Sequence, residues 1–92
     1  MTKIPNYAKI EKLETARCIV NLLNEKHWKI TYAELAKILK LHPLELGRVL
    51  DLVNRQHKDA GGTEMITGCI VNITGEPGLG YALCAKELGL QA

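Results

Sequence analysis

The stretch TYAELAKILKLHPLELGRVL, residues 31–50, decides the fold. It opens on Thr31-Tyr32-Ala33-Glu34, a capping box. A threonine hydroxyl accepts from the amide three residues on, and the glutamate at that third position reaches back to the threonine amide. A helix therefore starts at Tyr32, with Leu35, Ala36 and Leu39 on its inner side. Lys40-Leu41-His42 reads as a tight turn. Pro43 then occupies the first turn of the next helix, where its missing N–H costs nothing. That helix carries Leu46, Val49, Leu50 and Val53 inward over residues 43–58 and stops at Gly61-Gly62, after the cationic turn containing Lys58. Two helices joined by three residues make a helix-turn-helix corner. The small Ala33 and Ala36 allow close approach, and Lys40 stands where a left-handed turn residue would usually be glycine.

Upstream, Leu13, Ala16, Val20 and Leu23 recur at steps of three and four, beside Ile10 and Ile19. They predict an amphipathic helix opening at Pro5-Asn6 and ending near Lys26 and His27. Its wet side carries Glu11, Lys12, Glu14 and Arg17. Trp28-Lys29-Ile30 is a short connector of strand-like composition. Downstream, the β-rich residues 64–72 predict a strand, and residues 74–80 form a glycine-rich loop. Tyr81 to Leu88 fits either a short strand or a helix closing at Gly89. Assembled, these elements predict a mainly α fold with a small β element: a winged helix-turn-helix of three helices plus a strand and wing hairpin. Residues 1–92 read as one domain, with 1–5 a flexible arm.

Composition narrows the function. Twelve Lys+Arg against ten Asp+Glu give a net charge of +2, with 47% hydrophobic residues and no Phe. An aliphatic core is therefore expected, and total charge alone names no partner. Cys18, Cys69 and Cys84 are too few and too scattered for a disulfide framework or a zinc pattern. His27, His42 and His57, fifteen residues apart, lack companions at ligand spacing. No metal and no cofactor are expected. The absence of serine excludes a serine nucleophile. No run approaches the ~20 apolar residues of a membrane span, and the first residues carry no leader-like apolar stretch. A cytoplasmic protein with no membrane contact is expected.

Two segments, ITYAELAKILKLHPLELGRVL and ITGCIVNITGEPGLGY, resemble the C-terminal DNA-binding domain of alkylguanine-DNA alkyltransferases and alkyltransferase-like proteins. Tyr32, Leu35 and Ala36 match the family's helix start. Leu46-Gly47 falls at its Val-Gly step, and residues 66–71 fall where its active-site strand would lie. Either Cys69 or Gly68 aligns on the reactive cysteine, depending on one residue of register. The Pro-Cys-His-Arg motif is absent, and Leu44 stands where the family has a base-displacing arginine. A thiol needs a neighbouring base or cation to react as thiolate, and Ile70 and Val71 supply neither. The resemblance implies duplex binding without alkyl transfer.

The expectation is therefore a non-enzymatic protein that binds duplex DNA through residues 43–58. Arg48 is the candidate base contact. Arg55, Lys58 and Lys40 are candidate phosphate contacts, with Tyr32 and His42 beside them. Lys3, Lys9, Lys12, Lys29 and Lys37 would widen the basic footprint. The alternative is a protein-interaction module, a small inhibitor or adaptor on the same scaffold, using Leu44, Leu52, Leu79 and Tyr81. The acidic Glu76 in the glycine-rich loop favours that alternative, because a wing that meets DNA is better served by cations.

Overall fold

A computed structural model describes the backbone of residues 4–92 and the side chains of residues 11–78 and 80–92. Met1 to Lys3 of the expected arm, and the side chains of Lys9 and Leu79, lie outside the described residues. Helix α1 spans Ile4–Lys26, β1 Ile30–Thr31, α2 Tyr32–Leu39, α3 Pro43–Asp59, β2 Ile70–Val71 and α4 Leu79–Leu88. Helix α1 thus begins one residue before Pro5.

The α2–α3 corner forms as its residues dictate. The Thr31 hydroxyl accepts from the Glu34 amide at 3.1 Å, and the Glu34 carboxylate accepts from the Thr31 amide at 3.1 Å. Lys40 takes the left-handed conformation, φ 56°, and donates its N–H to Lys37. Pro43 opens α3. His42 adds a second cap: its Nδ1 accepts from the Leu44 amide at 3.2 Å, while Glu45 accepts from the His42 amide. Helix α1 ends on another left-handed non-glycine residue, His27, φ 59°, with Trp28 N–H closing back onto Leu23.

The core is aliphatic. Ala16, Val20 and Leu23 of α1 pack with Leu35 and Leu39 of α2, with Leu46, Leu50 and Val53 of α3, and with Ile70. Burial of one such leucine contributes roughly 1.5–3 kcal/mol. A separate small core of Met65, Ala85, Leu88 and Leu90 seats α4.

Two expectations are corrected. Among the described residues there are four helices rather than three, because Leu79–Leu88 is a helix. The predicted strand over 64–72 contracts to the two residues Ile70–Val71, which pair in parallel with Ile30–Thr31, and no wing hairpin forms among the described residues. The physical reason lies in two asparagines. Asn54 Oδ1 accepts the Ile66 amide at 2.9 Å, Asn24 Nδ2 donates to the Ile66 carbonyl at 2.8 Å, and Asn54 Nδ2 donates to the Thr67 hydroxyl at 2.9 Å. Helix side chains satisfy backbone groups that a β-ladder would otherwise have taken. A turn closed by Ile70 N–H on the Thr67 carbonyl then breaks the extended run. Glu64 keeps only an isolated bridge to Gln91.

Two outcomes follow. Asn54→Ala, which strands the Ile66 amide, should lower the unfolding free energy by about 2 kcal/mol or more, read by urea denaturation; an unchanged midpoint would contradict the clamp. The Glu34 carboxyl is held below the usual carboxylate range, chiefly by the Thr31 hydroxyl and then by the Thr31 amide. A depressed folded-state pKa gives stability that is present at neutral pH and lost as pH falls through that depressed value. Glu34→Gln should therefore flatten the acid limb of a stability–pH curve.

Candidate functional site

Helix α3 presents two surfaces besides its core face. The first is a solvent-exposed side bearing Leu44, Arg48 and Leu52 at successive four-residue steps. Leu44 is 75% exposed. The second faces a cavity of about 320 Å³, walled by α3, α4 and the chain between them, with Tyr32, Gly47, Asp51, Gly80 and Tyr81 among its lining residues.

The candidate DNA-contact residues separate into two sets. Arg48, Lys40 and Lys58 are exposed, and none is in an ion pair among the described residues. The other three have structural partners. Arg55 bridges Asp51 at 3.3 Å and Glu87 at 2.7 Å, tying α3 to α4; these bonds, Glu87 first, push its guanidinium pKa up. His42 caps α3. The Tyr32 hydroxyl accepts from the Gly78 amide at 2.9 Å. Of the candidate footprint, Lys29 and Lys37 are exposed and Lys12 is half-buried. Of the alternative protein-contact set, Leu44 and Leu52 share the open side of α3, whereas Tyr81 is half-buried in the cavity wall.

Two of the three acids of α3 are occupied as well, while Asp59, beside Lys58, is exposed and in no ion pair among the described residues. Glu45 is bound to the His42 amide, and Asp51 accepts from both Arg55 and the Cys84 thiol, the latter at 2.9 Å. Cys84 is pushed up to about 12, by burial first and then by its bond to Asp51. Burial likewise raises the Cys69 thiol. Both are held as thiols rather than thiolates. Tyr81 is raised by burial and by the neighbouring Cys69, Tyr32 and Glu64, so it remains a hydroxyl donor. No group of three or more metal-ligating side chains gathers among the described residues, and no helix is long and apolar enough to cross a membrane.

Asn54, only 1% exposed, organises the cavity floor and was not singled out from sequence. Its signal was present: a polar residue in line with Leu46 and Leu50 on the inward stripe of α3. Gly47, at the Val-Gly step of the resemblance, also lines the cavity. A Cβ there would meet no atom within 4 Å, so packing does not demand the glycine.

No family model, no curated protein and no solved structure matches the chain. The kinship to alkyltransferases drawn from two segments therefore has no support from these comparisons. What stands is a small, mainly α domain with a helix-turn-helix-like corner and a minor, open β element.

Two measurements check this geometry. A thiol-specific maleimide near neutral pH should label Cys18 first, since it alone of the three thiols is exposed, with Cys69 and Cys84 labelled far more slowly; fast labelling of Cys84 would contradict its bond to Asp51. Gly47→Ala should raise stability by about 0.5–1 kcal/mol, the usual cost of a mid-helix glycine, read as a higher denaturation midpoint.

Proposed function

We propose that this chain binds duplex DNA without catalysis, with α3 lying in a groove. The observation that carries the reading is the state of the charges on α3. Arg48 projects from the open side without an acidic partner among the described residues, while the nearby acids Glu45 and Asp51 are held by internal hydrogen bonds. Lys40 precedes the helix in the turn, and Lys58 lies near its far end, about 15 Å from Arg48 at 1.5 Å per residue. Three separated cations, one in the turn and two on α3, suit successive phosphates or a base edge. The raised thiols of Cys69 and Cys84 support a role in binding rather than chemistry.

A protein partner is the second reading, favoured by the exposure of Leu44 one helical turn from Arg48. Such a partner would need an apolar surface bearing an acid. Its signature is association that Leu44→Asp abolishes and Arg48→Ala only weakens.

Fluorescence anisotropy with a mixed-sequence duplex decides between them. Neutralising about three phosphates gives a slope of log K against log salt of about −3. Arg48→Ala should reduce the magnitude of that slope by about one. Arg55→Ala should leave it unchanged, because Arg55 is committed to α4. No salt-dependent association with duplex down to low ionic strength removes the DNA reading.

A further inference from the structure

We infer that the cavity between α3, α4 and the chain leading into α4 is a binding site for an uncharged, flat ring bearing a carbonyl acceptor. The inference does not depend on what binds the open side of α3.

Space is the first observation. At about 320 Å³ the cavity exceeds the roughly 150 Å³ that suffices for benzene in an apolar protein cavity. Two of its lining residues are helical glycines, Gly47 on α3 and Gly80 on α4. A Cβ at either would meet nothing within 4 Å. Alanine would favour the helix more at Gly47, in the interior of α3, so crowding does not account for the glycine there.

Chemistry is the second. Tyr32 and Tyr81 supply aromatic surface. The Tyr32 oxygen accepts from the Gly78 amide, which leaves its proton available to an acceptor. The Tyr81 hydroxyl has no hydrogen-bond partner among the described residues, and it lies 3.2 Å from where a Cβ on Gly68 would stand. Both tyrosines line the apolar cavity, and a hydroxyl proton left free on either is met by an acceptor on a ligand. Deeper in, Asn54 and Thr67 are bonded to each other and make no such demand.

Charge is the third. Among the described residues, Asp51 is the one ionisable acid or base on the wall apart from tyrosine and cysteine. It disfavours an anion, and because Arg55 and Cys84 already occupy its oxygens it gives a cation little. A neutral ring with a carbonyl is what remains.

The full chain, labelled with ¹⁵N, tests this by titration with benzamide, benzoate and indole. Benzamide should shift the Gly78, Gly80 and Tyr81 amides saturably, with an affinity in the millimolar range for so small a ligand. Benzoate should give no saturable shift. Tyr81→Phe should weaken benzamide about fivefold, the loss of one neutral hydrogen bond, and leave the weaker binding of indole, which has no carbonyl, unaltered. Gly47→Leu should abolish benzamide binding while its spectrum stays folded. The inference is overturned if benzamide gives no saturable shift at these amides, if benzoate binds as well as benzamide, or if Tyr81→Phe affects indole and benzamide alike. Should Gly47→Leu unfold the chain, Gly80→Leu serves as the blocking variant with the same expectation.

Discussion

A buried amide, that of Asn54, ties helix α3 to the chain that follows it. Asn54 uses both of its amide N–H donors and one lone pair of its oxygen. One N–H goes to the Leu50 carbonyl in its own helix, the other to the Thr67 hydroxyl, and its oxygen accepts from the Ile66 amide. Inside the protein each of these bonds is stronger than in water, and each would be costly if left open. The residue therefore fixes the position of the chain after α3 relative to α3 itself. Everything downstream inherits that placement: the Thr67–Ile70 turn, the short pairing of β2 with β1, and the approach to α4. Asn24 reinforces it from α1 through the Ile66 carbonyl, so the same peptide segment is held from two helices.

The helical half was legible because its signals are local. A threonine with a glutamate three residues on, a proline at a first helical turn and leucines at three- and four-residue spacing act within a few residues of themselves. Their bounds in the structure fall close to those read from the sequence, with α3 ending at Asp59. The second half misled for the opposite reason. Residues 64–72 have β-forming composition, yet a strand needs a partner, and the partners of Ile66 are side chains from residues 12 and 42 positions away. Composition carries no trace of such bonds. The hairpin wing failed with the strand, and the glycine-rich loop proved to be the entry to a helix whose N-cap, Gly78, is held by Tyr32.

The candidate site was legible in part for a related reason. Sequence can say that a residue is cationic and on an outward face, as it did for Arg48, Lys40 and Lys58. It cannot say which cations are already spoken for. Arg55 has the same helical phase as Arg48 to within a small angle, two turns further on, yet it meets Glu87 from an element 32 residues away. That pair is partly exposed, so it contributes little to stability. Its consequence is electrostatic, since it pairs one cation of α3 with two acids. The exposure of Leu44 was anticipated, whereas the burial of Tyr81 against the cavity depends on how α4 docks.

Helix α3 is thus asked to satisfy three faces within 17 residues. Its inner face needs leucine and valine, its outer face carries Leu44, Arg48 and Leu52, and its third face must be low enough to leave a cavity under α4. Gly47 lies on the side of α3 that lines the cavity. Local helix stability argues for alanine at that position and nothing in the packing argues against it. The cavity and the open side of α3 both border it, which places the two surfaces within one turn of each other on the same rigid element.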